Sequence, residues 1–474
     1  MIADLKPYPA TKDSGVPWLG MVPKHWELRR LKSSVRNINE QTGERRTDDL
    51  YVALEHVESW TGRLKPAPWN VSFDSQVKRF RSGDVLFGKL RPYLAKVAGA
   101  ATSGVCVGEF LVLRPRIERI GTRYAEQLLR SKPIIDVING STFGAKMPRA
   151  DWQFVGNMVV ALPSLTEQAA IVRFLDHVDR RIGRYIRAKQ KLIKLLEEQK
   201  QAIIHHAVTR GLDPNVRLKP SAVAWLGDVP GHWEVRQLRH CVSVVGGMTP
   251  SMENRRFWDG PIPWITPKDM KQTLLGDSSV RVSEAAIRET SLRLIQPPAI
   301  LMVVRGMILA RRVPIACTTA PVTVNQDMKA LMPVSGVHAE FLTALLSSAQ
   351  NAFVPLIDEA GHGTRRLPTE RWRTLGVALP AEVEQLAIMR YLNEATIGAV
   401  TAIGRTSREI DLLREYRTRL VADVVTGKLD VREAAARLPD KVDEPGLLDE
   451  TETGTDLEED VVEELGEAAE EVEA

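Results

Sequence analysis

Residues 160–206 read VALPSLTEQAAIVRFLDHVDRRIGRYIRAKQKLIKLLEEQKQAIIHH, and this stretch decides the fold. After a proline turn, Ser164 or Thr166 can cap the first amide groups of a helix, and Glu167 puts a negative charge in its first turn. The following residues recur at alternating steps of four and three, the spacing of a coiled-coil seam: Ile171, Leu175, Val178, Ile182, Tyr185, Lys189, Leu192, Leu196, Gln199 and Ile203. A helix of about 42 residues rises roughly 60 Å. It cannot bury such a seam alone, so the pattern predicts a partner helix.

The predicted partner lies in the same chain, at residues 377–393 (VALPAEVEQLAIMRYLN). Shifted by 217, this segment matches residues 160–176 at ten of seventeen positions. The two helices also end alike, as TRGLD from Thr209 and TGKLD from Thr426, and glycine suits a helix end where the backbone turns left-handed. The second seam is smaller and more polar: Met389, Leu392, Thr396, Ala399, Ile403, Thr406, Ile410, Leu413, Leu420 and Val424. We therefore expect the two long helices to pair with each other.

A second repeat opens each half of the chain. Residues 14–31 (SGVPWLGMVPKHWELRRL) and 221–238 (SAVAWLGDVPGHWEVRQL) share twelve of eighteen positions at a shift of 207. The chain is thus a tandem duplication, with one copy over residues 14–213 and another over 221–430. The tryptophans of this element are expected to wedge each domain onto a helix end, and the neighbouring His25 and His232 to be packing residues rather than metal ligands.

Between the two motifs, each half is rich in short apolar runs bounded by Gly, Pro and Ser. Residues 105–113 and 308–312 are predicted to be strands, and residues 122–139 a helix. The fold class expected for each half is α+β, with a mostly antiparallel sheet. Gly-rich loops that end in cations, residues 140–146 and 361–366, differ between the halves while the framework agrees. This divergence suggests two related domains that read different things.

Composition favours a soluble, cytoplasmic, multidomain protein. The chain has 474 residues, 44% of them hydrophobic and 26% charged, and no apolar run approaches the 18 residues of a membrane span. The three cysteines form no CxxC pair and are interpreted as buried small hydrophobes. Residues 440–474 hold 16 acidic residues and one lysine, so the overall charge of +4 leaves +19 on the rest. A body this basic suggests a polyanionic partner, and nucleic acid is the commonest.

Motifs of catalysis are missing from the sequence. We find no GxxxxGK[ST] phosphate loop, no GxGxxG after a strand, no HExxH and no paired CxxC. Glu198-Gln199-Lys200 has the acid-x-Lys triplet of a nuclease but lies on the predicted coiled coil. These observations favour a binding protein with no catalytic residues, metal or cofactor of its own.

Cations at strand ends and in Gly-rich loops are the candidate nucleic-acid contacts, because Arg and Lys bind phosphates and Arg also reads guanine. For any single cation the alternative is a solvated surface charge. The candidates are Lys89, Arg91, Lys96, Lys146, Arg149, Lys268, Arg305, Arg311, Arg312, Arg365 and Arg366.

The whole plan resembles the specificity subunit of type I restriction–modification systems. The resemblance rests on the repeated LPxxxEQxxI element, which begins at Leu162 and Leu379, and on the repeated WLGxVPxHWExxxL element, which begins at Trp18 and Trp225. It covers about residues 14–430. The acidic tail and the first dozen residues lie outside the pattern.

The resemblance implies two α/β target recognition domains, residues 1–160 and 213–378, each reading one half of a split site in double-stranded DNA. It implies that the helices, 161–212 and 379–430, pair antiparallel as a spacer and dock methyltransferase subunits, through which restriction subunits assemble. Helix residues that face away from the seam, such as Arg173, are then partner-facing or solvent-facing. Residues 431–474 are expected to form a disordered acidic tail.

Two other interpretations stay open on the sequence alone. The chain could be the specificity module of a fused methyltransferase or nuclease, although no segment of adequate length remains for a methyl-donor domain. It could also be a structural coiled-coil protein, which leaves the basic body and the cationic loops unexplained. The three interpretations predict, respectively, DNA binding without turnover, methyl transfer or cleavage, and neither.

Overall fold

The computed structural model describes residues 5–43, 49–65, 76–142, 147–359 and 364–439. The chain divides into two compact units, residues 1–183 with 414–474, and residues 184–413. Each unit combines one α+β domain with the beginning of one long helix and the end of the other. The predicted fold class is confirmed.

Two long helices dominate the helical content, Leu165–Arg210 and Glu382–Val425. In the first unit, the Arg417 guanidinium donates two hydrogen bonds to the Asp179 carboxylate, at 2.8 and 3.0 Å. In the second unit, Lys189 Nζ donates to Glu409. Further along the first helix, a Cβ placed on Gly211 would lie 3.4 Å from Glu384 Oε1. Residue numbers rise along one helix as they fall along the other, so the helices pair antiparallel.

After Ile182, every second predicted seam residue of the first helix is exposed (Tyr185, Leu192 and Gln199), whereas Lys189, Leu196 and Ile203 are half-buried as predicted. Ile182 is buried as predicted, but Tyr185 and Leu192 are 50% and 46% exposed. Ile186 and Ile193 are the half-buried residues there instead. The contact face thus advances by an extra step of four residues, as a stutter in a heptad repeat does. In the second helix, all ten predicted seam residues are buried or half-buried.

Glycine and tryptophan meet at the end of each long helix. Gly211 and Gly427 have positive φ angles of 75° and 77°, as the predicted helix stops require. A Cβ on Gly211 would lie 3.4 Å from the Trp233 ring, and one on Gly427 would lie 3.1 Å from Trp26. Both indoles are fully buried. The prediction that these tryptophans wedge a domain onto a helix end is confirmed.

The first domain is built on two four-stranded sheets, ordered Val35–Ile38, Phe110–Pro115, Val85–Gly88, Val97–Gly99 and Gln41–Thr42, Val77–Phe80, Gly104–Cys106, Leu50–Val52. Only the pair of Gly104–Cys106 with Leu50–Val52 is parallel among the strand pairs of these described sheets. Its remaining strands are Thr11–Asp13, Met21–Pro23, Glu27–Arg30 and Val159–Leu162, and its helices are Thr122–Arg130, Lys132–Gly140 and Trp152–Asn157.

The second domain has a five-stranded sheet, ordered Val242–Gly246, Met328–Pro333, Ile300–Val303, Ile315–Thr318, Leu274–Leu275, and a three-stranded sheet, Arg281–Val282, Trp258–Ile265, Thr323–Val324. Its other strands are Leu218–Pro220, Asp228–Pro230, Glu234–Gln237, Asp358–Glu359, Arg365–Arg366 and Gly376–Leu379. Its helices are Glu284–Glu289, Ala339–Ser348, Gln350–Phe353 and Thr369–Trp372. One apolar core joins this domain to the adjoining helix segments.

Three local predictions are wrong in detail. Residues 105–113 form two strands, which belong to different sheets. Residues 122–139 form two helices rather than one, because Ser131 is extended and Pro133 lacks the amide N–H that one continuous helix would need there. Residues 308–312 do not form a strand: a 3-10 turn, Met307–Ala310, begins after Gly306 at a φ of 130°, and Arg311 and Arg312 follow it.

The LPxxxEQ motif is the joint between each domain and its helix. Gln168 Oε1 accepts a hydrogen bond from Gly121 N at 2.9 Å, just before the domain helix Thr122–Arg130. In the second copy, Gln385 Oε1 accepts from His338 N at 2.8 Å, before the helix Ala339–Ser348. Both residues of this contact, the glutamine and its backbone donor, are 217 positions apart in the two copies, which is the shift of the sequence repeat.

The predicted tail begins with ordered structure. A short helix, Arg432–Ala436, lies where the disordered tail was expected to start. Arg173 is exposed, as expected for a residue that faces away from the seam, and its guanidinium also donates to the Leu438 carbonyl at 2.6 Å. The Arg432 guanidinium lies 5.2 Å from the centre of the Tyr8 ring. Residues 440–474 lie outside the described residues.

Candidate nucleic-acid interface

In the first domain, two loops meet at the end of the strand Val85–Gly88. Arg91 N donates to Pro148 O at 2.8 Å. Ala150 N donates to Lys89 O, also at 2.8 Å. The backbone of Arg91 has a φ of 50°, which turns the chain away from the strand direction. These contacts bring the segment after the strand alongside the segment that carries Arg149.

Three of the predicted cations therefore come together, and we call Lys89, Arg91 and Arg149 the first cation cluster. Lys89 and Arg91 are half-buried, whereas Arg149 is exposed. The Arg149 guanidinium pairs with Glu109, with N–O distances of 3.2 and 3.3 Å. Arg149 is thus held across the cluster by a carboxylate that also weakens the positive charge there.

Lys96 lies at the same end of the sheet, but its ammonium group donates a hydrogen bond to a backbone carbonyl. Gly88 N donates to Lys96 O at 2.8 Å, which places the two segments side by side. Lys96 Nζ donates to Leu54 O at 3.1 Å. Lys146, the remaining candidate of the first half, lies outside the described residues.

The second domain repeats this construction. Gly306 N donates to Arg365 O at 3.0 Å, and Leu367 N donates to Val304 O at 2.8 Å. A backbone bridge pairs Arg305 with Arg366. We call Arg305, Arg365 and Arg366 the second cation cluster. It follows the strand Ile300–Val303, just as the first cluster follows its own central strand.

The remaining candidates of the second domain lie elsewhere. Lys268 is exposed on the turn Pro267–Asp269, and Arg311 and Arg312 are exposed after the turn Met307–Ala310. Arg312 lines a cleft together with Lys271. The cations that the sequence treats as one set thus fall into two groups in this unit.

Two exposed apolar side chains beside the clusters were not predicted. Tyr93 is 45% exposed two residues after Arg91, and Met307 is 64% exposed two residues after Arg305. The sequence signal that could have predicted them is their position two residues after a cation at the end of a strand. Large apolar side chains beside cations on loops are suited to contacts with sugars and bases.

One lysine of the first domain is structural. Lys78 is buried, and its Nζ donates to Phe110 O at 2.8 Å. Burial and the nearby positive charge of Lys89 lower the pKa of Lys78 below its ordinary value. Lys78 is therefore close enough to Lys89 for their charges to interact, but its ammonium group is bound inside the domain.

Within the described ranges, no group of three or more His, Cys, Asp or Glu side chains is arranged to hold a metal ion. Nor does any helix in the described part of the chain have the length and apolar character needed to cross a membrane.

The chain is similar to two curated specificity subunits. It is 28% identical over 252 residues to the type I restriction enzyme EcoR124I/EcoR124II specificity subunit of Escherichia coli, which covers 52% of this chain and 56% of that protein. It is 32% identical over 126 residues to the MjaIX specificity subunit of Methanocaldococcus jannaschii, covering 26% of this chain and 28% of the other. The chain thus spans about half or less of the length of these relatives. No protein-family model matches the chain.

A solved structure shares the fold. A chain from a study of "complex assembly" and "conformational transition of the type I R-M system" has a TM-score of 0.60 and 19% identity, and the match covers 86% of this chain and 99% of that one. The duplicated motifs, the paired long helices and the named relatives agree with one another. The chain is therefore similar in sequence to type I restriction enzyme specificity subunits over about half of its length, and it shares the fold of the solved chain.

Proposed function

We propose that this chain is the non-catalytic DNA-recognition subunit of a methyltransferase and endonuclease complex. In this proposal its two domains, residues 1–160 and 213–378, each read one half of a bipartite target in double-stranded DNA. The observation that carries the proposal is the equivalent position of the two cation clusters, each on a pair of loops behind a central strand. Loops held on a rigid sheet are the usual place for such recognition.

The chemistry of the clusters supports DNA as the ligand. Arginine and lysine neutralise phosphates, and arginine also donates two hydrogen bonds to guanine in the major groove. The first cluster combines a lysine and two arginines, whereas the second has three arginines. Different cations on one framework suit two domains that read different half-sites.

The long helices support the docking of partners. Within the second unit, their exposed large apolar side chains are Tyr185, Leu192, Leu195, Val383, Leu386, Tyr391, Ile397, Val400 and Leu412. Exposed apolar surface on this scale is typical of sites that bind other proteins. We propose that methyltransferase subunits dock on the helices, 161–212 and 379–430, and that restriction subunits assemble through them. Methyl donor, Mg²⁺ and ATP then belong to those partners.

The test is DNA binding by the full chain with one cluster removed at a time. Lys89, Arg91 and Arg149 are replaced by serine in one variant, and Arg305, Arg365 and Arg366 in another. A matched control replaces three exposed cations away from the first cluster, Lys24, Lys32 and Arg36. Fluorescence anisotropy with duplex DNA is recorded over a range of salt concentrations.

Each cluster variant is expected to weaken binding and to reduce the salt dependence, by about 0.9 in the logarithmic slope for every phosphate that the protein no longer neutralises. The control variant should keep most of the wild-type affinity and most of the salt dependence. Equal losses in the control and the cluster variants would show general attraction to the basic body. Methyl transfer or cleavage by the purified chain alone would favour the fused enzyme, and no DNA binding at low salt would favour a structural coiled coil.

A further inference from the structure

The second unit contains a cleft between its domain and the end of the first long helix. Its volume is about 580 Å³, which lies within the range of about 300–1,000 Å³ that is usual for small-molecule sites. Gln201 and His205 line it from the helix, and Lys271 and Arg312 from the domain. The cleft does not include any residue of the second cation cluster.

The walls of the cleft are held by hydrogen bonds. Gln350 Oε1 accepts from Val313 N at 2.9 Å, and Gln350 Nε2 donates to Val313 O at 3.1 Å. On the opposite wall, Cys317 N donates to Thr273 O at 2.8 Å. The segments that carry Arg312 and Lys271 are therefore fixed to the domain rather than loosely attached.

The charge of the cleft has one sign. Lys271 and Arg312 are exposed and make no side-chain hydrogen bond or ion pair with any residue that the structure describes. The imidazole of His205 is a third nitrogen-containing side chain in the cleft, and the described lining contains no aspartate or glutamate. Serine and glutamine side chains supply further donors, while Met270 and Ile315 provide apolar surface.

The first unit fills the equivalent position with its own side chains. At the shift of 217 fixed by the glutamine joints, Ser347 corresponds to Arg130 and Thr343 to Glu126. Arg130 is buried and donates to Glu126 Oε1 at 2.8 Å and to Val97 O at 3.3 Å. The space that remains there is about 20 Å³.

The two copies thus differ in one chemical respect. In the first copy, an arginine–glutamate pair occupies the space between the domain and the helix. In the second copy, the same space is a cleft lined by cations, and its lining contains no acidic side chain. We infer that the cleft of the second unit binds an organic phosphate, whose charged group meets Lys271 and Arg312 and whose body lies against the apolar wall. The phosphate comes either from a free nucleotide or from the backbone of bound DNA; only the second source rests on the proposed function.

The experiment uses the full chain and two sets of variants. One set removes the cations, Lys271→Ser and Arg312→Ser. The other, T343E with S347R, rebuilds the arginine–glutamate pair of the first unit and fills the cleft. Arg293→Ser is the matched control, since Arg293 is exposed and does not line the cleft. Isothermal titration calorimetry with ADP and with pyrophosphate tests the free ligand, and anisotropy with duplex DNA tests the backbone.

If the cleft takes a free nucleotide, ADP binds the wild-type chain more tightly than pyrophosphate. Each cation variant then weakens ADP binding about tenfold or more, because it removes charged hydrogen bonds, and the filled cleft abolishes it. If the phosphate belongs to DNA, the same variants weaken DNA binding beyond the Arg293→Ser control, while both clusters remain intact.

The inference is overturned if neither ADP nor DNA distinguishes the cleft variants from the control. Equal affinity of ADP for the wild type and for the filled cleft excludes the free nucleotide, and the inference then falls unless the same variants weaken DNA binding. Loss of DNA binding in the cluster variants alone leaves the proposed function standing and removes the DNA source for the cleft. Circular dichroism and thermal unfolding of each variant establish that the chain is folded.

Discussion

The indole Nε1 of Trp26 donates a hydrogen bond to Glu167 Oε1 at 3.1 Å, between two residues that are 141 positions apart. Tyr8 OH donates to the same oxygen at 2.7 Å, and His25 Nε2 lies 2.9 Å from the other. This buried carboxylate joins both repeated motifs to the N-terminal segment. In the second copy, Glu384 meets Trp233 at 3.0 Å and His232 at 2.8 Å.

The two glutamates are expected to differ in their contribution to stability. The side chain of Glu167 is 5% exposed, whereas that of Glu384 is 30% exposed. Glu167→Ala leaves the buried Trp26 and Tyr8 donors without an acceptor and should lower the free energy of unfolding by about 3 kcal/mol. Glu384→Ala, with a more hydrated site, should cost about half of that.

Urea unfolding followed by tryptophan fluorescence measures this difference, and E167A should have the lower midpoint. A conservative variant, E167Q, keeps one acceptor oxygen and should lie between E167A and the wild type. Equal midpoints for E167A and E384A would mean that the carboxylate is not the joint we describe.

The ion pairs between the long helices should also be unequal. Asp179 and Arg417 make two hydrogen bonds and are each about one-fifth exposed, at 21% and 22%. Glu409 is 55% exposed in its pair with Lys189. A double-mutant cycle to alanine should give a coupling of about 1–2 kcal/mol for the first pair and below about 0.5 kcal/mol for the second. A coupling near zero for Asp179 with Arg417 would contradict the two hydrogen bonds described between the long helices in the first unit.

Much of the fold could be predicted because the chain states its plan twice. The LPxxxEQ motif predicted two helices, and the structure explains the motif, since Glu167 and Gln168 each bind the domain. The drift of the seam from Tyr185 to Ile186 could not be predicted, because a strict heptad and the natural helical pitch diverge over several turns. The helix Arg432–Ala436 was missed because its few apolar residues precede a strongly acidic segment.

The candidate site was predictable in part. The sequence marks cations at strand ends, and the structure brings together Lys89, Arg91 and Arg149. The sequence does not reveal that Glu109 pairs with Arg149, which lies forty residues away, because that contact depends on how the sheets fold. The sequence also gives no reason to separate Arg312 from the second cluster. Arg312 is only seven residues from Arg305, yet in the structure it lines the cleft instead.

The three cysteines should be unreactive in the folded chain. All are buried, and burial raises the pKa of Cys106 to about 12 and that of Cys317 to about 11. Burial also raises the pKa of Cys241. A raised thiol pKa means that the neutral form is favoured on folding, so this contribution to stability is present below the ordinary thiol pKa and is lost as the pH rises through the folded values.

Titration with a chromogenic disulfide at pH 8 should therefore detect almost no thiol in the folded chain and three per chain in guanidinium. Stability measured by urea should fall between pH 9 and 11. Rapid reaction of one thiol at pH 8 under native conditions would show that its site opens to solvent.

Removal of one carboxylate should strengthen DNA binding if the first cluster is the contact surface. Glu109 pairs with Arg149 at 3.2 Å. Glu109→Gln releases the guanidinium and removes a charge that repels phosphate, so affinity should rise about threefold to tenfold at low salt and return toward the wild-type value at high salt.

Glu289→Gln provides the control for this measurement, because Glu289 pairs with Arg256 at 3.3 Å outside both clusters. It should leave the affinity almost unchanged. Weaker binding by E109Q than by E289Q would indicate that Glu109 positions Arg149 for contact rather than competing with DNA.

We propose that each domain reads its own half of one divided DNA target. Exchange of residues 14–160 for those of a type I specificity subunit replaces the first domain and keeps the second, with the LPxxxEQ motif that begins at Leu162 retained. The exchanged chain is expressed with the proposed methyltransferase partner, and host DNA is sequenced for methylated positions. We predict a split motif with a fixed gap that requires the gene, and in the exchanged chain a change in one half only. A motif that changes in both halves, or methylation that does not depend on the gene, would contradict the account.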